Sequence, residues 1–128
     1  MGMRVLIVDD AAFMRFMIKK ILTELGHEVV GEAEDGEVAC AKYAELKPDL
    51  VTLDLIMPKK DGIETLRDIR AKDPEAKIVV ISAVEQRQPL MDALRLGAVD
   101  YLTKPFEKER VAEAITRVNP IGSAKGFS

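Results

Sequence analysis

The stretch "VLIVDDAAFMR" at residues 5 to 15 contains the feature that decides the fold of this chain. Four consecutive apolar residues, Val5 to Val8, run directly into two adjacent carboxylates, Asp9 and Asp10, and the chain then turns apolar again. An uninterrupted apolar run of this length is typical of a strand that is buried on both faces of a parallel sheet. One polar residue is enough to end such a strand, so two like charges at its end require either a bound cation or another explanation.

Similar strand-like runs recur along the chain and alternate with helical stretches. The predicted strands are residues 4–8, 28–33, 50–54, 77–82 and 99–103. Helical stretches of about 10 to 14 residues are predicted to start near Ala12, Gly36, Gly62, Pro89 and Glu107. Five strand–helix units in regular alternation predict an α/β fold, a doubly wound parallel sheet with helices on both faces.

The first and fourth helical stretches also contain signals for their packing and their ends. In the first, a row of apolar residues is predicted to form one buried stripe: Phe13, Met17, Ile21, Leu22 and Leu25. Gly26 and Gly97 are predicted to terminate the two helices, because glycine readily adopts the left-handed conformation that follows a helix end.

Length and charge exclude several classes of protein. The 128 residues suit one domain, predicted over residues 1–118, and residues 119–128 read as a flexible tail or the start of a linker. A net charge of −3 gives no basic footprint for nucleic acid. We find no apolar run that approaches the roughly 18 residues of a membrane span. The N-terminus also lacks the features of a signal peptide, so we expect a cytoplasmic protein without membrane insertion.

Three carboxylates follow the ends of two predicted strands. Asp9 and Asp10 follow the first strand, and Asp54 ends the third. In an open parallel sheet, ligands bind at the carboxyl ends of the strands. If these two strands are neighbours, the three carboxylates converge and repel one another, which raises their pKa values. Mg²⁺ would relieve that repulsion because it prefers oxygen ligands, so the sequence predicts a magnesium site.

Two more polar residues lie near the same edge: Ser82 ends the predicted fourth strand, and Lys104 follows the predicted fifth strand. Lys104 is placed to pair with Asp54 or with an anion bound there, and Ser82 offers a hydroxyl donor. A carboxylate, a metal ion, an ammonium group and a hydroxyl around one point are what phosphoryl transfer requires. An aspartate can act as the nucleophile in such a transfer and form an acyl phosphate.

The motifs "LIVDDAAFMR", "VTLDLIMPKKDG", "VISA" and "YLTKPF" occur in an order that resembles the receiver domains of two-component response regulators. The resemblance covers about residues 4 to 118 and is strongest to single-domain, CheY-like chemotaxis regulators. It implies a flavodoxin-like fold whose five strands lie in the order 2-1-3-4-5. It also implies a receiver domain over residues 1–118.

The resemblance implies a role for each acidic residue. Asp54 would accept a phosphoryl group from a histidine kinase. Asp10 and Asp54 would bind Mg²⁺ directly, together with the backbone carbonyl of Ile56, and Asp9 would act through a bound water.

Other residues would respond to the phosphoryl group. Lys104 would pair with it, Ser82 would hydrogen-bond to it, and Tyr101 would swing inward as Ser82 moves. Such a change would alter a surface at about residues 88–118 for a downstream protein, such as a flagellar motor component or a phosphatase. The resemblance therefore implies a monomeric phosphoacceptor that switches a binding surface and is not a turnover enzyme.

Three alternatives remain open from the sequence. The chain could be the receiver domain of a longer response regulator, either a transcription factor or an enzyme. It could also be a phosphohydrolase with an aspartate nucleophile, although such enzymes commonly carry a second acidic residue two positions later, where this chain has Ile56. A flavin-binding domain of similar topology is the third alternative, but "DDAAFMR" lacks the glycine of a phosphate-binding loop.

Overall fold

Strands and helices alternate strictly along the chain. The computed structural model describes residues 2–57, 59–83 and 85–118, so the tail predicted over residues 119–128 lies outside the described part. The strands are β1 (Arg4–Val8), β2 (Glu28–Ala33), β3 (Leu50–Asp54), β4 (Ile78–Ala83) and β5 (Asp100–Lys104). The helices are α1 (Ala12–Glu24), α2 (Gly36–Leu46), α3 (Gly62–Lys72), α4 (Arg87–Arg95) and α5 (Lys108–Val118).

All five strands pair in parallel, in the order β2-β1-β3-β4-β5. This confirms both the doubly wound fold and the strand order. Residues that alternate along each strand contribute to two apolar cores, one on each face of the sheet. One core lies beneath α2, α3 and α4, and the other lies beneath α1 and α5. In the described part of the chain, no helix combines the length and apolar character that a membrane crossing requires.

The predicted buried stripe of α1 is wrong at its first two positions. Phe13 is 71% exposed and Met17 is 38% exposed, whereas Ile18 and Leu22 are buried. The row that packs inward is offset by one residue, beginning at Met14 and continuing through Ile18 and Leu22. One residue advances about 100° around a helix, so the row that begins at Phe13 is turned away from the sheet.

The helix ends follow local signals in the sequence. Gly26 and Gly97 follow α1 and α4 with φ of 92° and 106°, which confirms their predicted role as terminating residues. The fourth helix begins at Arg87, two residues before the predicted start at Pro89. Proline is tolerated there because the amide groups of a first helical turn have no partner within the helix.

Candidate functional site

The candidate site lies at the carboxyl edge of the sheet, where β1 and β3 end side by side. The register pairs Val8 of β1 with Leu53 of β3, so Asp9 leaves its strand beside Asp54, the last residue of β3. Neighbouring parallel strands place their carboxyl ends at one edge, which is where open sheets of this kind bind ligands. The acidic cluster was predicted on the condition that β1 and β3 are neighbours. The structure shows that they are.

Asp9, Asp10 and Asp54 form a cluster in which one oxygen of each carboxylate lies within 4.8 Å of the others. Asp9 and Asp54 are buried, and Asp10 is exposed. Asp9 Oδ1 accepts a hydrogen bond of 2.9 Å from the amide of Ala11, while Asp9 Oδ2 has no hydrogen-bond partner among the described residues. A buried carboxylate oxygen without a partner is costly unless a cation reaches it.

Negative charge on the two buried carboxylates is unfavourable in the absence of a metal ion. Burial, followed by the charge of Asp9, raises the pKa of Asp54 from 3.8 to about 6. Burial also raises the pKa of Asp9, against the opposing effect of its hydrogen bond from Ala11. Both shifts have the cause expected for carboxylates that are removed from water and placed beside like charge.

Lys104, at the end of β5, reaches both buried carboxylates. Its Nζ lies 3.8 Å from Asp9 Oδ2 and 3.7 Å from Asp54 Oδ2. Both distances are those of ion pairs and exceed the length of a hydrogen bond, so each oxygen keeps its capacity to accept one. The peptide bond between Lys104 and Pro105 is cis. The structure thus brings Lys104 to the position that the sequence predicts.

Ser82 lies at the same edge, as the next-to-last residue of β4. The register pairs Asp54 with Ile81, so Ser82 is one residue beyond the level of Asp54. Its side chain is buried, and its Oγ has no hydrogen-bond partner among the described residues. Ser82 therefore has a free donor at the edge where the three carboxylates meet.

Tyr101 and Ile56 flank this arrangement. Tyr101 is half-buried on β5, where it pairs with Val80 and therefore lies behind the level of Ser82. The amide of Ile56 donates to Asp54 Oδ1 at 3.3 Å, and its side chain is 52% exposed. The metal-ligand role of the Ile56 carbonyl and the inward movement of Tyr101 stay predictions.

Two residues that were not predicted to belong to the site position the acidic loops. Arg15 Nη1 donates to the backbone oxygen of Asp9 at 2.7 Å, and its Nε donates to Glu32 at 3.0 Å, so it ties the exit of β1 to β2. Gly62 lies so close to β3 that a Cβ there would be 2.5 Å from the backbone oxygen of Asp54. Arg15 stands in the quoted motif and its charge was a usable signal, whereas no signal in the sequence marked the close approach at Gly62.

The donor atoms of the cluster fit Mg²⁺. Three carboxylates supply hard oxygen ligands, one of them exposed, and Asp9 Oδ2 has no hydrogen-bond donor among the described residues. A divalent cation would offset the repulsion that raises the pKa of Asp54. These residues therefore form a site suited to a divalent cation that prefers oxygen ligands.

Comparison with known proteins identifies a family. The family model described as the response regulator receiver domain matches residues 5–116. The chemotaxis protein CheY of Thermotoga maritima is 52% identical over 119 residues, which cover 93% of this chain and 99% of that protein. CheY of Bacillus subtilis is also 52% identical, over 91% of this chain and 98% of its own length.

Solved structures show the same relationship. The CheX–CheY–BeF₃–Mg²⁺ complex from Borrelia burgdorferi contains a chain that superposes with a TM-score of 0.86 and 38% identity, over 90% of this chain and 87% of that one. A longer relative, a protein-glutamate methylesterase of Trichodesmium erythraeum, is 44% identical but is covered over only 34% of its length. The near-complete coverage of the CheY relatives favours the CheY-like interpretation over the receiver of a longer regulator.

Proposed function

The chain belongs to the response regulator receiver domains, as a homologue of the CheY chemotaxis regulators, and from that premise we propose that Asp54 accepts its phosphoryl group. The position of Asp54 carries the proposal. It is the buried last residue of β3, one of its oxygens lies within 4.8 Å of oxygens of Asp9 and Asp10, and Lys104 Nζ lies 3.7 Å away. The geometry supports a nucleophile surrounded by the groups that would stabilise a phosphoryl group.

In the proposed reaction, an oxygen of Asp54 attacks the phosphorus of a phosphohistidine on a kinase. A P–O bond forms as the P–N bond breaks, and the electron pair of that bond remains on the imidazole nitrogen. Lys104 pairs with a phosphoryl oxygen, and the Ser82 hydroxyl donates a hydrogen bond to another. Both residues have capacity for these contacts, because Ser82 Oγ is unpartnered in the described structure and Lys104 is held only at ion-pair distances.

We propose that Asp10, Asp54 and the Ile56 carbonyl hold Mg²⁺, with Asp9 acting through a bound water. When bound, the cation supplies positive charge that neutralises the transferring phosphoryl oxygens. Asp10 is exposed and so offers its carboxylate at little desolvation cost. Asp9 is fixed by its contacts with Ala11 and Arg15, and its Oδ2 lies 3.8 Å from Lys104 Nζ.

The proposed output is a protein contact and not a turned-over product. Phosphorylation would shift Ser82 and Tyr101 and so change the surface formed by α4, β5 and α5. The solved complex of a related CheY with CheX supports a protein as the downstream target. We accordingly propose a cytoplasmic, monomeric signalling protein with a histidine kinase upstream and a flagellar motor component or a phosphatase downstream.

Intact-mass analysis after incubation with a small acyl phosphate tests the phosphoacceptor. The wild type is expected to gain one phosphoryl group in the presence of Mg²⁺, and Asp54→Asn is expected to gain none. Asp49→Asn is a matched control, because Asp49 is exposed at the opposite end of β3 and its hydrogen bond with the Arg4 amide can be kept by asparagine. Equal labelling of Asp54→Asn and the wild type would refute the proposal. Labelling of the wild type that does not depend on Mg²⁺ would also refute it.

A further inference from the structure

Tyr101 lies beneath the guanidinium group of a residue on α5. Arg110, in the first turn of that helix, places its Cζ 5.5 Å from the centroid of the Tyr101 ring. Its Nη2 also donates to the backbone oxygen of Tyr101 at 2.7 Å. Because β5 is an edge strand, its outer carbonyls have no partner strand, and Arg110 supplies a donor to one of them. One guanidinium group therefore covers the ring and the edge of the strand together.

A buried carboxylate fixes this guanidinium group in place. Asp100 is 3% exposed and accepts hydrogen bonds of 3.2 Å from both Nη1 and Nη2 of Arg110. It also accepts a hydrogen bond of 3.0 Å from Arg117 Nη1. Both arginines therefore pair with Asp100, and of these two arginines it is Arg110 that contacts Tyr101 in the described structure.

Tyr101 and Ser82 share one face of the sheet. Tyr101 pairs with Val80, and alternate residues of a strand point the same way, so Ser82 lies on the face of Tyr101. The Tyr101 ring packs against the core beneath α2, α3 and α4. A rotation of the ring towards Ser82 would remove it from beneath Arg110, which Asp100 holds in position. The contact of Arg110 with the ring is thus specific to the orientation that Tyr101 has in this structure.

We propose that Arg110 is a positioning residue that latches Tyr101 in its outward orientation and so sets the resting population of the switch. This inference rests on the proposed function, in which Tyr101 moves inward when Asp54 carries a phosphoryl group. The interaction between a cation and an aromatic ring at a partly exposed site is strong enough to change a two-state population about two- to fivefold. Loss of Arg110 should therefore favour the inward orientation by about that factor.

The two tyrosines of the chain make the latch measurable. Protein labelled with 3-fluorotyrosine gives two ¹⁹F resonances, which Tyr43→Phe assigns. Tyr43 donates a hydrogen bond of 2.7 Å to Asp73, between α2 and α3, so its resonance reports whether a variant is folded. Beryllium trifluoride with Mg²⁺ serves as the phosphoryl mimic. Arg110→Gln is the test variant, and Arg117→Gln is the control that also removes one contact with Asp100.

The expected result separates the two arginines. In metal-free Arg110→Gln, the Tyr101 resonance should move part of the way to the position that the wild type reaches with the mimic. The mimic concentration for half conversion should fall about two- to fivefold. Arg117→Gln should leave both quantities unchanged, and the Tyr43 resonance should stay in place in both variants. Arg110→Lys, which keeps the charge but loses the planar fork, should shift Tyr101 in the same direction by less.

Other results would overturn the latch. If the Tyr101 resonance of Arg110→Gln stays in place, or if Arg117→Gln shifts it equally, Arg110 has only a structural role through Asp100. If the wild-type Tyr101 resonance does not change when the mimic is added, both the proposed switch and the latch are wrong. Phosphorylation of Asp54 is tested separately, by intact-mass analysis. If the wild type responds and the two variants do not differ, the latch alone is wrong.

Discussion

Lys104 Nζ lies 3.7 Å from Asp54 Oδ2, and this ion pair joins the edge strand β5 to the middle strand of the sheet. The same ammonium group lies 3.8 Å from Asp9 Oδ2, so one positive charge is shared between two buried carboxylates. Lys104 therefore opposes the rise in the pKa values of both groups. Lys104 and a bound metal ion would therefore both interact with the negative charge of these carboxylates.

Replacing Lys104 with glutamine is expected to strengthen Mg²⁺ binding while it slows phosphorylation of Asp54. Removing a positive charge next to the acidic cluster leaves the cluster more negative, and an interaction of roughly 1 kcal/mol corresponds to about a fivefold higher affinity. Calorimetric titration with MgCl₂ measures the affinity. Lys108→Gln is the control, because Lys108 pairs with Glu24 on α1 at 3.5 Å. An unchanged or weaker affinity in Lys104→Gln would contradict this view of the ion pair.

Asp54→Asn is expected to stabilise the metal-free protein at neutral pH. Burial and the charge of Asp9 raise the pKa of Asp54 to about 6, so its ionised form opposes folding. A shift of this size corresponds to about 1 to 3 kcal/mol, which asparagine would recover. Thermal unfolding in EDTA at pH 7.5, followed by circular dichroism, measures the difference.

The pH dependence of that difference has a defined sign. Because the pKa of Asp54 is higher in the folded protein than the ordinary value of 3.8, the destabilisation is absent below pH 4. It grows as the pH rises through about 6 and is complete above it. The advantage of Asp54→Asn over the wild type should therefore be small at pH 4 and largest above pH 7. An advantage that is equal at both values would show that the charge is not its cause.

His27 is expected to reduce the stability of the fold in mildly acidic solution. The amide of Met3 donates to His27 Nδ1 at 3.0 Å, which requires a neutral ring, and burial lowers the pKa of His27. The stabilisation from the neutral ring is complete above 6.5, and it is lost as the pH falls from 6.5 through the lower pKa of the folded state. Urea unfolding at pH 7.5 and 5.5 should show a larger loss for the wild type than for His27→Gln, which does not titrate. Equal losses would exclude His27 as the source.

Two buried threonines are expected to respond in opposite directions when they are replaced by valine. Thr52 Oγ1 is buried without a hydrogen-bond partner among the described residues, beside a void of about 10 Å³ whose other lining residues are apolar. Thr65 Oγ1 donates to the backbone oxygen of Asp61 at 2.8 Å. Thr52→Val should raise the free energy of unfolding by about 1 kcal/mol, and Thr65→Val should lower it by a similar amount. Urea unfolding measures both, and destabilisation by Thr52→Val would indicate a partner for its hydroxyl.

Much of the fold could be predicted because buried parallel strands have a simple sequence pattern, a short run of mostly apolar residues. The runs that form β1 and β3 are mostly apolar, and their predicted bounds are those that the structure shows. β4 and β5 begin one residue later than predicted. The strand order was predicted from the family resemblance, because apolar runs alone do not indicate which strands are neighbours in the sheet. The inward face of α1 was misjudged because two apolar rows overlap in that helix, and only packing against the sheet distinguishes them.

The candidate site was predictable where its residues end strands. Asp9, Asp54, Ser82 and Lys104 each stand at or near a strand end, and the topology of a parallel sheet brings such positions together. The supporting residues act across elements that are distant in the sequence. Arg15 contacts Glu32 on β2, and Arg110 contacts Tyr101 on β5. Neither contact can be recognised from a local pattern in the sequence.

The site is assembled from strand ends that are spread over most of the chain. Asp9 and Lys104 lie 3.8 Å apart at the acidic cluster although one follows the first strand and the other ends the last. During synthesis on the ribosome, the carboxylates of β1 and β3 therefore emerge well before their cationic partner. A nascent chain that stops before β5 holds its two buried acids without Lys104, and in the absence of divalent cations such an intermediate should be less compact than the finished domain. Translation of the last strand thus supplies the positive charge that lies against these carboxylates in the finished domain.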